Sequence, residues 1–489
     1  MKLHGHQMKL LAVAASTVLL SACAVGPDYV RPEVAQPTAF KEAAGWKTAE
    51  PRDQEIRGKW WEIYNDPLLN SLQEQVTTSN LSLAQADAAY RQALALVQGA
   101  RSEFFPTVGA EFDVTRSSSA TVRNNQLTTS SVSSGARTNH SLSMNASWEP
   151  DLWGRIRRSV EASSNSAQAS AADLENVRLS MHAQLAQNYF QLRALDSQKD
   201  LLDRTLADYE RSVQLTQNQY AAGIVARADV IRAQTQLKTT QTQALDVGIQ
   251  RAQLEHAIAL LVGKAPAEFD ITVAPLTASV PSIPLAVPSA LLERRPDITG
   301  AERRLAAANA EIGVAKAAWF PSLGLAANVG YQSNSMSNLL SLPNRFWSIG
   351  PSLAQTLFDA GARRAQSDQA IAAYDENVAI YRQTVLTGFQ EVEDNLAALR
   401  ILEQEAQTQD EAVQLARRSV ELATNQYKAG IVSYLDVITA QATALSSETT
   451  AVNIQNRRLA ASVLLIKALG GGWRAASSSA MPQPPSQNN

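Results

Sequence analysis

The sequence predicts a mainly α-helical chain with a transmembrane β part, built as a two-fold internal repeat, and three observations carry that expectation. A long segment is written twice. Residues 151–265 and 352–481 contain no proline and are rich in Ala, Gln, Leu and Glu, the strong helix formers. Four segments of about ten residues alternate apolar and polar side chains with period two.

The duplication is read directly. NQYAAGIVARADVIRAQ, from Asn218 to Gln234, returns from Asn425 to Gln441 as NQYKAGIVSYLDVITAQ, an offset of 207 residues. The same offset relates Gly154 to Gly361 and Asn188 to Asn395, while Phe105-Pro106 maps onto Phe320-Pro321 at 215, so the first copy has a hairpin eight residues longer. Two copies of a large unit are a duplication, not a solenoid of short repeats. Each copy reads as helix, strand, strand, long helix, turn, long helix. The expected organisation is a first repeat over 23–263, with a β-hairpin at about 104–150 and a helical hairpin over 155–263. A linker over 264–296 with six prolines follows, expected to cross the surface instead of joining the core. The second repeat covers 297–471, with a β-hairpin at about 319–358 and a helical hairpin over 362–469. Residues 472–489, with Pro, Ser, Gln and Asn, have a disordered composition.

A helix from Arg155 to Tyr220 would be roughly 100 Å long at ~1.5 Å per residue, about three times the thickness of a bilayer core. Val385, Phe389, Val392, Leu396 and Leu399 step by four and three, as in a seam packed against a neighbouring helix. An ordinary amphipathic core helix shares that stripe, but a compact domain rarely holds a helix beyond ~25 residues. Gly223 and Gly430 follow Tyr220 and Tyr427, and helical periodicity resumes soon after each, which predicts a turn between antiparallel helices at both places.

The strands begin after Pro106, where Val108, Ala110, Phe112 and Val114 alternate with polar or small residues. Leu142, Met144, Ala146 and Trp148 repeat the pattern, as do Leu323, Leu325, Ala327, Val329 and Tyr331, and then Trp347, Ile349, Leu353 and Leu357. Alternation alone also fits a half-buried sheet in a soluble domain. Ten-residue strands with aromatics near their ends match a transmembrane barrel better. Four strands leave open edges that lipid cannot satisfy, and barrels start at eight. Several chains must therefore share one barrel; three would give twelve strands. The connections 117–137 and 333–345, rich in Ser, Thr and Asn, suit exposed outer turns.

Residues 1–22 have the form of a secretory signal: Lys2 and Lys9, then an apolar stretch from Leu10 to Leu20, then small residues. LSAC, ending at Cys23, resembles the bacterial lipobox, which implies S-diacylglycerol and N-acyl groups on Cys23; Ala24 fits outer-membrane sorting. The alternative is an ordinary signal peptide and a buried free thiol. Beyond this stretch no apolar run is long enough for a spanning helix.

With 43 basic and 46 acidic residues, a formal charge of −3 and no basic block, nucleic acid is not the expected partner. No GxSxG, HExxH or phosphate-binding glycine loop occurs, so neither an enzyme nor a cofactor or metal site is expected. His140, His182 and His256 are far apart in sequence and read as surface or hydrogen-bonded histidines.

Taken in order, CAVGPDYVRP from Cys23, Trp60-Trp61, NDPL from Asn65, RRPDI from Arg294, AERRL from Ala301, AKAAWFP from Ala315, the two glycine turns and GGGW from Gly470 resemble the lipidated branch of the TolC-like outer-membrane efflux proteins. The resemblance covers nearly all of the chain after the leader. It implies a homotrimer with a shared twelve-stranded barrel, continued by a long antiparallel coiled-coil barrel in the periplasm. It also implies docking to a periplasmic adaptor at the turns of Gly223 and Gly430, and an inner-membrane pump, of the proton-driven resistance-nodulation-division type.

The expected gate lies at those turns. Asp229 and Asp436 each stand six residues after a turn glycine, and in a trimer would make rings of carboxylates if they face inward. Alternatively each caps the returning helix. In the resembling family a tyrosine and an arginine also close this end. Tyr427 holds the matching position, with Tyr220 its counterpart in the first copy. The expected arginine is absent from Ile431, Val432 and Ser433; Arg227 and Arg232 stand on the first turn, and Thr439 replaces a second aspartate. The leading reading is a passive outer-membrane exit duct for drugs or other small molecules. The alternative is the outer component of a type I protein secretion system. A purely structural spacer would not need lipid-facing strands.

Overall fold

The structure, a computed structural model, describes residues 25–34, 37, 39–42, 58–118, 136–283 and 294–471. The leader with Cys23, the tip of the first β-hairpin and residues 472–489 lie outside the described residues. The elements run α1 (Pro67–Ser79), α2 (Leu81–Ser102), β1 (Thr107–Ser117), β2 (Arg137–Trp148), α3 (Arg155–Ala221), α4 (Arg227–Leu261), α5 (Pro296–Ala317), β3 (Ser322–Ser333), β4 (Arg345–Ala354), α6 (Ala362–Lys428) and α7 (Tyr434–Ala468). The duplication is visible in their lengths: α3 and α6 have 67 residues each, α4 and α7 have 35 each.

The chain divides into two compact units. The first combines the residues up to Pro32 with Arg91–Gln168 and Glu302–Ala379, and it contains the sheet. The four strands are antiparallel in the order β1-β2-β3-β4, and the β2–β3 pairing joins the two repeats. The register places Val108, Phe112, Val114, Leu142, Met144, Val329, Trp347 and Ile349 on one face. Glu111, Asp113, Ser143, Asn145, Asn328 and Ser348 lie on the other. The apolar face is bare: Trp347 is 70% and Ile349 75% exposed. Among the described residues β1 and β4 are unpaired along their outer edges. Gly330 permits a close crossing, since an added Cβ would meet the Leu142 carbonyl and the Phe346 ring.

One strand is shorter than its alternation predicts. β4 ends at Ala354, so Leu357 lies beyond it. The reason is the start of α6, where Asp359 accepts the Gly361 and Arg363 amides at 3.1 and 3.2 Å, and Ala360 and Gly361 turn the chain with φ of 52° and 93°. The segment after Val25 is held in the same unit. Val25 donates to the Trp153 carbonyl at 3.1 Å, and Arg158 binds Asp28 at 3.0 Å. Gly26, at φ +116°, passes so close to Gly313 that a Cβ would stand 2.6 Å from its Cα.

The second unit combines Glu33–Tyr90, Ala169–Ala301 and the chain from Ile380 onward. Its core packs Trp60, Trp61, Tyr64 and Leu69 against Tyr189 and Phe190 of α3, Ile258 of α4, Val392 and Leu396 of α6, and Leu459 and Ile466 of α7. The seam expected on α6 is there: Val385, Val392, Leu396 and Leu399 are buried and Phe389 partly so. The linker departs from its expectation as surface chain. Ile271 and Ile283 enter the core, and the backbone is clamped from below by charges. Asp196, itself bound by Arg193 and by Arg251 at 2.7 Å, accepts the Ala274 amide at 3.1 Å, while Glu255 accepts the Ile271 amide at 2.6 Å. Prolines remove donors but leave these amides free to bond, which composition alone does not reveal.

Candidate functional site: the paired hairpin tips

Both long hairpins turn in the same way. Gly223 donates to Tyr220 O and Ile224 to Gln219 O, each at 2.9 Å; Gly430 donates to Tyr427 O and Ile431 to Gln426 O, again at 2.9 Å. This nested pair of bonds satisfies the last carbonyls of α3 and α6, and it requires a left-handed residue, here φ +75° and +74°. Ile224 and Ile431, which could fold back on the helix, are instead 71% and 72% exposed. Each tip thus presents an isoleucine at its apex.

The two tips pack together within the second unit. Ala233, Tyr427, Tyr434 and Val437 form a buried cluster with Val213, Val225 and Val432 around it. Tyr427 donates to Gln219 Oε1 at 2.6 Å, so α6 is tied to α3 across the repeats. Its ring lies 5.2 Å from that of Tyr434, tilted by 54°. Burial pushes the Tyr434 phenol up to about 12, against a hydrogen bond to Ser212 that lowers it, and with further rises from Tyr427, Tyr209 and Asp229. Tyr427 is raised by burial and then by the Asp229 charge. Both phenols are therefore neutral at any physiological pH, and Tyr427 acts as a donor.

The two aspartates are held differently. Asp436 accepts both the amide and the hydroxyl of Ser433 on Oδ2, at 3.0 and 2.7 Å, in a capping-box arrangement at the start of α7. Asp229 has no such partner, because Ala226 stands where Ser433 does; Arg232 binds its Oδ1 at 3.1 Å instead. The capping role thus falls on Asp436, while Asp229 is mostly covered and ion-paired. Arg227 and Tyr220 are exposed on the tip surface. Sequence reasoning missed Tyr434, Tyr209 and Gln219. A signal existed: Tyr434 matches Arg227 across the 207-residue offset, and Tyr209 matches Ala416, so each tyrosine marks a position where the copies differ.

Elsewhere in this unit a cleft of about 650 Å³ is lined by Gln198, Gln236, Asp246 and Gln250 together with the apolar Leu202 and Leu445. Among the described residues no group of His, Cys, Asp and Glu could hold a metal ion. His182 is buried against Trp61, ring centroids 4.4 Å apart. Gln73 binds it twice, Nε2 donating to His182 O at 2.9 Å and Oε1 accepting from Nδ1 at 2.5 Å.

An antiparallel sheet with one bare apolar face, joined to long helical hairpins, defines an outer-membrane channel of the TolC-like class, and comparison with known proteins agrees. The chain belongs to the outer membrane efflux protein family, whose pattern matches residues 72–264 and 287–471. It is 31% identical over 467 residues to the "Probable efflux pump outer membrane protein TtgC" of Pseudomonas putida, covering 95% of this chain and 96% of that one. Identity to the "Pyoverdine export outer membrane protein OpmQ" of Pseudomonas aeruginosa is 30% over 470 residues, covering 96% and 98%. The solved outer-membrane channel OprN superposes with a TM-score of 0.84 at 31% identity, over 92% of this chain and all of that one. The protein is an outer-membrane efflux channel.

Proposed function

We propose that three copies of the chain share one barrel and form the passive exit duct of a tripartite system, in which an adaptor and an energised inner-membrane pump, proton-driven, deliver small molecules to its periplasmic end. The observation that carries this reading is the four-stranded sheet with an exposed apolar face and two unpaired edges, which only further strands can complete in lipid. The duct itself supplies no energy. Its hairpin tips, with Gly223 and Gly430 at the turns, are the surface offered to the adaptor, and the neighbouring Asp229, Asp436, Tyr220, Tyr427 and Arg227 form the gate. Cys23 carries the lipid, so that two kinds of attachment, acyl chains and barrel, hold the protein in the outer membrane.

Cells lacking the chain but keeping their pumps should accumulate a hydrophobic amine dye, and the wild-type chain should restore low accumulation. A type I secretion role predicts the opposite pattern, unchanged dye levels and loss of a polypeptide from the medium, and that result would overturn the efflux reading. Growth with radioactive palmitate tests the anchor: wild type takes up label and Cys23→Ser does not.

A further inference from the structure

The sheet is fastened at one end at every seam it makes within the chain. Antiparallel order puts the start of β1, the end of β2, the start of β3 and the end of β4 at the same end. At the β1–β2 seam Trp148 Nε1 donates to Phe104 O at 2.9 Å. At β2–β3, which joins the repeats, Trp153 Nε1 donates to Pro321 O at 2.7 Å and its ring stacks on Phe320 at 4.9 Å. At β3–β4, Gln355 Nε2 donates to Trp319 O at 3.2 Å. Beyond the outer edges of β4 and β1 no such fastening is present among the described residues, and the flanking side chains stand open: Leu357 is 91%, Phe358 87% and Phe105 70% exposed.

We propose that Leu357 and Phe358 of one copy pack against Phe105 and Pro106 of the next, closing a seam between β4 and the neighbour's β1; the inference rests on the shared-barrel reading above and adds its contact residues. The duplication selects this occupant. Phe105-Pro106 is the first-repeat counterpart of Phe320-Pro321, and within the chain that counterpart is stacked on by the aromatic of the strand-to-helix turn preceding it, Trp153, which leaves Phe320 41% exposed against 70% for Phe105. In a closed ring the turn preceding Phe105 is the one between β4 and α6 of another copy. That turn carries Phe358 beside its capping Asp359, as the first carries Trp153 beside Asp151, which accepts the Ile156 and Arg157 amides at 3.0 and 2.9 Å. Under the 207-residue offset Ala360 stands where Trp153 does, so the second turn carries its aromatic on the strand side of the capping aspartate, where the first carries it on the helix side. A lone chain leaves Phe105, Leu357 and Phe358 in the open, whereas mutual packing takes their surface out of water.

The test is thiol cross-linking of the full chain in outer-membrane vesicles, with a short bis-methanethiosulfonate reagent on Phe105→Cys/Phe358→Cys. The expected result is a reducible ladder of dimer and trimer from the double variant and none from either single variant. A native mass of three chains together with free thiols and no ladder would overturn the proposed contact while leaving the shared barrel standing. A native mass of one chain would overturn both. Should the double variant fail to reach the membrane, Phe358→Cys alone, tagged with benzophenone maleimide and irradiated, decides the matter. An adduct to a peptide containing Phe105 of a second copy supports the proposal, and an adduct confined to phospholipid overturns it.

Discussion

His182 shows at the scale of one residue how burial writes a pH dependence into the fold. Burial, then the charge of Arg178, lowers its pKa to about 4 from the ordinary 6.5, with a smaller opposing rise from Glu74. The folded state therefore holds the ring neutral while the unfolded chain binds a proton below 6.5. Stability from this group is complete above about pH 6.5 and is lost as pH falls toward 4, a swing of about 3 kcal/mol. Thermal melting of the detergent-solubilised protein checks the sign: wild type should lose stability between pH 6.5 and 4 more steeply than His182→Gln, and parallel slopes would remove the histidine from the account. Sequence isolated this residue correctly but could not show Trp61 and Gln73 around it, which come from segments about a hundred residues away. The tip aspartates make the same point. Their equal spacing from the turn glycines was legible, and their different partners were not, because these depend on whether Ser or Ala precedes the helix.

At the scale of elements, helix ends decide where the chain turns. An added Cβ at Gly223 or Gly430 meets no atom within 4 Å, so substitution there costs only the left-handed backbone penalty, roughly 1–2 kcal/mol. Gly430→Ala should accordingly melt lower than wild type, with Gly430→Asn recovering part of the loss; equal melting of all three would refute the turn assignment. Asp436→Ala, which strips the Ser433 amide and hydroxyl of their acceptor, should cost about 1 kcal/mol. Helices and strands were readable because each shows its period over many residues. The linker misled because Ile271 and Ile283 sit in a segment with no period, and their burial depends on Asp196 and Glu255 in distant helices. The end of β4 misled because Leu357 continues the alternation past the point where Asp359 begins the next helix.

At the scale of the molecule, the duplication is the organising fact, since one chain supplies two near-equivalent hairpins of strand and of helix. The copies diverge at their tips, where Tyr434 packs in the cluster that joins them and Arg227 stands at the matching position of the first copy. In the gate proposed above, with Asp229 and Asp436 facing inward, three-fold assembly would bring their carboxylates around one axis, where like charges favour cations. Single-channel recording in a planar bilayer tests this account of a gated duct most directly. Wild type should be nearly closed and cation-selective. Asp229→Ala/Asp436→Ala should lower the selectivity and weaken block by multivalent cations. Tyr427→Phe should open it more often, since losing the neutral bond to Gln219 costs about 1 kcal/mol, roughly a fivefold change in the open-to-closed ratio per chain. A double aspartate variant with wild-type selectivity and block, and a Tyr427→Phe channel no more open than wild type, would contradict the assignment of the hairpin tips as the gate.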